Sequence, residues 1–302
     1  MARSRRKLSD AERHERRRRD RERLAEALHE LLSSDGWKAW LRARATLHDY
    51  SFHNTCLIAQ EARRRGFHPT YVAGFRAWLK LGRCVRKGER GLPILAPVKV
   101  IERDDAGEGT GEMRVFFRSV HVFDVSQTDP LPGARPAPLA PPRQPLTGDS
   151  HARLLDPLGR LAGDLGYAVA YRPLGRLDGL CDHRSRRISI DDALALNAKV
   201  STLVHELGHA LIWRAADTSH PLAKQLEELI VEAVAYVVLA GAGLDTGQDS
   251  VPYIASWEGD DALDELQRTA ELIDALARRI EQAIALGPEG AAERAFELRE
   301  SA

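Results

Sequence analysis

In the segment STLVHELGHALI, residues 201–212, two histidines, His205 and His209, stand four residues apart with Glu206 directly after the first. On a helix this spacing puts both imidazoles on one face, one turn apart, so that they can chelate a single ion. Hydrolytic zinc sites take three protein ligands and keep an open position for water, whose pKa falls towards neutrality. Glu206, beside the first ligand, is then placed to take that water's proton as the catalytic carboxylate. Leu203, Val204, Leu207, Ala210, Leu211 and Ile212 surround the motif with apolar side chains, as in a helix buried in a core, and a dry wall strengthens the metal's electrostatics. The competing reading is a helix with two incidental histidines, because so short a motif also arises by chance. Ile212 and Ala215 stand where the metzincin form needs Gly and His, which excludes that form.

A third ligand is required, and the segment after Pro221 offers Glu227, Glu228 and Glu232. Glu228 is the choice, 19 residues beyond His209, a separation that lets a returning antiparallel helix bring a carboxylate to the ion. Glu232, one turn further on the same face, would orient a histidine N–H. Glu227 points about 100° away and is expected to face solvent. Asp217 and His220, in the intervening loop, are weaker candidates, and Tyr236 and Tyr253 are conceivable donors to a developing oxyanion. The metal set is thus His205, His209 and Glu228, with Zn2+ as the expected ion.

The elements that must position these groups follow from the hydrophobic pattern. With 302 residues, 43% hydrophobic and 29% charged, the chain has the composition of a folded protein of two domains. Residues 1–23 alternate Arg with acidic residues and have almost no apolar face, which reads as a solvated helix or a basic arm. Leu24, Leu28, Leu31, Leu32, Trp37, Trp40 and Leu41 carry a helical stripe broken at Gly36; further helices are predicted from Ser51 to Arg65 and from Val72 to Leu81. The runs LPILAPVKVI and MRVFFRSVHVF, across a polar turn, predict a β-hairpin. Seven prolines between Pro130 and Pro145 mark a linker. Beyond it come a helix near residues 152–165, short strands in GYAVAYRPL and RRISID, and helices over 197–215, 221–240 and 261–286. The fold class is α+β, divided as arm 1–23, first domain 24–129, linker 130–148 and second domain 149–302.

The net charge is zero, yet residues 1–133 hold 27 Lys and Arg against 18 Asp and Glu, leaving 17 against 26 beyond. The first half is therefore the candidate for a polyanion. Within it, Tyr71, Phe75 and Trp78 interleave with Arg76, Lys80, Arg83, Arg86, Lys87 and Arg90. Aromatics stack bases and cations neutralise phosphates, a combination suited to single-stranded DNA. The DNA-binding candidates are Tyr71, Trp78, Lys80, Arg83, Arg86, Lys87 and Arg90. The alternative is that the aromatics, with Leu79, pack in a core. The cations of VRKGERG flank glycines that let backbone N–H groups approach a phosphate. Cys56, Cys84 and Cys181 are scattered and suggest neither a disulfide framework nor a thiolate site. The charged N-terminus lacks an apolar signal core, and the longest apolar run, Leu229–Leu244, is too short to span a bilayer. A cytoplasmic protein with no membrane partner is expected.

SFHNTCLIAQ, VAGFRAWLKLGRCVRKGERGLPILAPV and VFDVSQT resemble the N-terminal domain of the ArdC-type antirestriction proteins, and the VHELGHAL half is similar to the zincin-like metallopeptidase domain that accompanies it. YIASW near Tyr253 also resembles that family's C-terminal portion. The resemblance implies a single-stranded-DNA-binding domain joined to a zinc domain, carried on mobile elements and protecting incoming DNA from restriction. It carries the family's metal motif onto His205 and His209, its acidic residue onto Glu206 and its downstream E-L-x-x-E pattern onto Glu228 and Glu232. The Arg-rich first 23 residues and the long Pro-rich linker depart from it. The expected function is a DNA-bound zinc metallopeptidase acting on a restriction or regulatory protein; the alternative is a non-enzymatic DNA shield in which zinc only staples the second domain.

Overall fold

The computed structural model describes residues 10–47, 49–103, 109–134, 144–215, 222–245 and 262–285, and shows a mixed helix and strand protein. Two compact units form, one from Met1–Ala43 and His53–Ala137, the other from Arg44–Phe52 and Pro138–Ala302. No helix among the described residues is long and apolar enough to cross a membrane.

The first unit opens with α1 (Asp10–Glu30), α2 (Ser34–Thr46, whose last residues belong to the second unit) and α3 (Phe52–Arg64). Helix α1 runs unbroken through the expected boundary between arm and domain at residue 23. Its charges pair along its own surface, Arg18 with Glu15 at 2.9 Å and with Glu22 at 2.8 Å, and Arg16 donates to the Ser119 carbonyl at 2.7 Å. Such i,i+3 and i,i+4 pairs support a helix that buries little. Ala27, Leu31, Trp37, Trp40, Leu41, Ile58 and Ala62 form the helical core.

Strand β1 (Val72–Gly74) and helix α4 (Phe75–Lys80) together replace the single helix predicted over 72–81. The chain continues through β2 (Arg83–Val85), β3 (Leu92–Arg103), β4 (Gly109–Asp124) and β5 (Thr128–Pro130). The predicted hairpin is present as the antiparallel β3/β4 pair, Leu92 opposite Val122 and Ile101 opposite Met113, and β1 adds to the other edge of β4. Asp124 closes the hairpin: its carboxylate accepts from the Thr70 N–H (2.8 Å) and the Ser126 N–H (2.8 Å), while the Gln127 side chain accepts from its backbone N–H. The ends of the proline-rich segment are ordered, β5 pairing with β2, and β6 (Gln144–Pro145) with β10 (Leu244–Asp245) of the second unit. Residues 135–143 lie outside the described residues.

The second unit contains α5 (Leu155–Asp164), β7 (Ala168–Arg172), β8 (Gly179–Asp182), β9 (Arg187–Asp191), α6 (Leu196–Ala215), α7 (Lys224–Gly241) and α8 (Ala262–Ala285). Strands β7 and β9 pair in parallel, and β8 lies antiparallel against β9 at the edge. Strand β8 is absent from the sequence prediction, since GLCD is short and shows no alternation. The start of α6 is pinned by the buried Asn197, which accepts from the His151 N–H (2.9 Å) and donates to the Pro145 carbonyl (2.8 Å). Val200, Leu203, Val204, Leu207, Ala210 and Leu211 sink α6 into the core, and α8 adds Leu266, Ala270, Ile273, Ala277 and Ile280 at helical spacing.

Gly208, inside the histidine motif, sets how closely α7 approaches: a Cβ there would stand 3.0 Å from Val231 Cγ1 and 3.2 Å from Cγ2. Valine is stiff at χ1 within a helix, so it cannot swing aside. Gly208→Ala is expected to destabilise the fold by about 1–3 kcal/mol, the ordinary cost of overpacking, and to loosen metal binding by displacing the acidic end of α7. Urea unfolding and metal titration check both effects.

Candidate metal centre

Helix α6 presents His205 and His209 one turn apart, their ring centroids 5.1 Å from each other, and α7 brings Glu228 across to both. Glu228 Oε2 lies 3.8 Å from His205 Nε2 and 3.7 Å from His209 Nε2, and one ligand atom from each residue falls within 4.8 Å of the others. Those separations exceed hydrogen-bond length, so the carboxylate bonds to neither ring and stands almost equidistant from both. Donors around a tetrahedral ion at about 2.1 Å are separated by about 3.4 Å, so the two sides of this triangle that meet at Glu228 are a few tenths of an ångström wider than a loaded site requires. Two imidazoles and a carboxylate are also the right donor chemistry for zinc. Burial, and secondarily His209, push the His205 pKa down, against the pull of Glu228. A neutral imidazole is the form that binds metal.

Glu206 faces the edge strand. It is buried, accepts a hydrogen bond from the Cys181 backbone N–H, and is pushed up to about 7, chiefly by burial and further by Glu228. A carboxylate that titrates near neutrality matches the demand on a general base. Gly179 on β8 makes the approach possible, because a Cβ there would lie 2.6 Å from Glu206 Oε1 and 2.5 Å from Thr202 Cγ2. The Cys181 thiol is pushed up to about 12 by burial and by the negative charge of Glu206, which keeps it protonated and not nucleophilic.

The residue that fixes an imidazole is Glu227 and not Glu232. Glu227 Oε1 lies 2.8 Å from His209 Nδ1, and His209 Nε2 stands 3.7 Å from Glu228, whereas Glu232 is exposed. The expectation for both residues is thereby corrected. Four residues carry Glu232 about 6 Å further along α7, where its side chain is exposed, while Glu227 reaches His209. Glu227→Gln is expected to weaken metal binding roughly 10- to 100-fold without unfolding the protein, measurable by competition with a chromogenic chelator. Tyr236 is buried within α7. Tyr253, Asp217 and His220 lie outside the described residues.

Sequence reasoning missed an aromatic stack beside this centre. Trp213, one turn beyond His209, stacks on His183 with centroids 4.5 Å apart and planes 9° from parallel. The Tyr167 hydroxyl is 2.8 Å from His183 Nδ1. Burial, chiefly, holds the His183 pKa down; Glu227 opposes this and His209 adds to it. Trp213 was legible as a continuation of the His205/His209 face at i+4; His183, in the turn between β8 and β9, carried no local signal.

In the first unit the predicted DNA-binding residues separate. Trp78 is fully buried and donates from Nε1 to the Phe123 carbonyl (2.9 Å), so it cannot stack on a base; this corrects its assignment. Tyr71 packs edge-on against it at 5.4 Å. Arg83 is bound to Thr128 (2.7 Å), and Arg86 to Glu89 (2.9 Å), Asp129 (3.4 Å) and the Ser126 carbonyl. Lys80, Lys87 and Arg90 are exposed. Phe75 and Leu79, core candidates by spacing, are instead 50% and 42% exposed, and Phe117 on β4 is 63% exposed. Strand alternation would have turned one of the FF pair inward, yet Phe116 is exposed as well, at 39%.

Residues 22–123 match the family described as the N-terminal domain of the anti-restriction factor ArdC. An uncharacterized protein of Bacillus anthracis is 26% identical over 251 residues, spanning 70% of this chain; the chain spans only 41% of that relative's length. The Mn(II)-bound crystal structure of antirestriction ArdC from plasmid R388 is 21% identical, with a TM-score of 0.52, over 89% of this chain and 98% of that one. The metal-free structure of the same protein aligns over 80% and 85% with a TM-score of 0.46. Residues 22–123 therefore carry the ArdC N-terminal domain, and the chain shares its fold with the R388 protein.

Proposed function

We propose that this chain is an antirestriction protein that binds single-stranded DNA through residues 24–129 and hydrolyses a peptide bond in a restriction or regulatory protein through a zincin-like domain over residues 149–302. The observation that carries the reading is the convergence of His205, His209 and Glu228 from two helices, with the buried Glu206 beside them. That the ArdC of R388 has a Mn(II)-bound structure supports a divalent metal, and the two-imidazole, one-carboxylate set favours zinc.

A zinc ion bound here would supply Lewis acidity and a water that ionises near neutral pH. His205, His209 and Glu228 would hold it, with Glu227 fixing the tautomer of His209. Glu206 takes the proton of the attacking water on its carboxylate and passes it to the departing amine. Strand β8, at the sheet edge beside Glu206, offers its outer side to an extended peptide, which would add as a further strand. The mainly buried walls of α6 and α7 keep bulk water from the carboxylate.

The test is metal analysis of the purified protein at neutral pH alongside DNA binding. One equivalent of zinc, lost in His205→Ala and His209→Ala, together with salt-sensitive affinity for single strands, is expected. A wild type with no divalent metal, or variants that keep it, overturns the metal reading; a chain that ignores single-stranded DNA at low salt overturns the other half.

A further inference from the structure

The turn 86–91, RKGERG, joins β2 to β3 over a cleft of about 480 Å3 whose lining includes Arg65, Phe67, Gly88, Glu89, Arg90 and Gln127, with Lys87 next to the lining in the turn. The turn is closed by its own hydrogen bonds, Arg86 N–H to the Gln127 carbonyl (3.0 Å) and Glu89 N–H to the Arg86 carbonyl (3.3 Å), and Gly88 takes φ +91°. Two of the cleft's arginines are committed to the fold. Arg65 binds Glu61 and the carbonyls of Arg90 and Gly91, and Arg86 binds Glu89 and Asp129. Glu89 is further held by the Gln127 amide at 3.0 Å. The Lys87 ammonium and the Arg90 guanidinium are both exposed and have no partner among the described residues, and the backbone N–H groups of Lys87 and Gly88 have no acceptor there. Two unneutralised cations and two unused N–H donors thus belong to one turn, and the partly exposed Phe67 lines the cleft beside it. Successive free N–H groups at a turn form an anion-binding concavity, and an aromatic face next to one meets the base that an unpaired phosphodiester carries.

We propose that this cleft seats one nucleotide of a single DNA strand, its phosphate on the N–H groups of Lys87 and Gly88 between the Lys87 and Arg90 cations, and its base against Phe67. The assignment rests on the single-strand-binding reading and narrows it: Phe67 replaces Trp78 as the stacking ring, and Arg65 and Arg86 serve as walls. A duplex, whose bases are stacked and paired, cannot present one to Phe67.

The experiment measures fluorescence polarisation of a labelled oligothymidylate across a salt series for the full chain and for K87A/R90A, F67A and F67L. The double variant is expected to bind roughly 10-fold more weakly, with a salt slope shallower by about 0.7, the share of one phosphate on a single strand. Both Phe67 variants are expected to lose roughly 5- to 150-fold with the slope unchanged, as loss of one stacked base predicts. F67L keeps the apolar bulk, so its loss reports the ring face and not the fold, and thermal midpoints of K87A/R90A should match the wild type. Variants that bind like a competent wild type overturn the cleft and leave the broader reading standing; a wild type without single-strand affinity overturns both.

Discussion

Glu206→Gln is expected to lower hydrolysis of a fluorescently labelled casein by roughly 100- to 10,000-fold, the range a general base contributes, while metal content and DNA affinity stay at wild-type values. The substitution is nearly isosteric and keeps an acceptor for the Cys181 N–H, so the close contact with Gly179 survives. What disappears is the ability to take a proton. The pH profile checks the same residue from another side. With its carboxyl pushed up to about 7 by burial, Glu206 is protonated and inactive on the acid side, so activity should rise with pH. A bound cation favours the ionised form, which puts the midpoint of that rise at or below about 7. A Gln variant with full hydrolysis, or a rate that falls as pH climbs through this window, removes Glu206 from the chemistry. If wild type and variant are equally inactive yet both load metal and protect DNA, zinc is a structural staple and protection comes from binding alone.

Arg44→Ala is expected to cost about 3–5 kcal/mol of stability, the range for breaking a buried ion pair from one side. The Arg44 side chain is fully buried; it pairs with Asp274 and, through two nitrogens, with Glu281 at 2.8 and 3.0 Å. Removing the guanidinium leaves the Asp274 and Glu281 carboxylates without it, with Arg278 left to neutralise Asp274 at 3.0 Å. Urea denaturation of the second unit's signal should show the loss, and high salt should not mimic it, because screening acts weakly on buried pairs. Arg44→Met with Glu281→Met should recover a good part of the loss, since apolar replacement of both partners avoids an unpaired charge. Loss of less than about 1 kcal/mol in the alanine variant would mean that water reaches the pair, as it does for surface ion pairs.

How much could be read in advance differs by residue. The His205/His209 pair was legible because both ligands lie on one helix, where spacing alone fixes direction. Glu228 was reachable by spacing to the next helix. Its neighbours were not: periodicity placed Glu232 on the same face and Glu227 off it, but how α7 packs against α6 decides which side chain arrives. In the first unit, aromatic and basic residues singled out one segment, and the structure separates its members. Trp78 turned inward where Phe75 and Leu79 turned outward, because β1 consumes residues 72–74 and the sheet covers only one side of α4.

By itself the sequence determined the helices, the long hairpin, the opposed charge of the two halves and the histidine pair, all of which depend on residues near one another in the chain. Only the tertiary structure decided which carboxylate steadies His209, which strand edge lies beside Glu206, and which of the many arginines stay free for a ligand. Those outcomes are settled by competition among distant groups for the same hydrogen bonds and the same buried space. A local pattern can name the competitors without naming the winner.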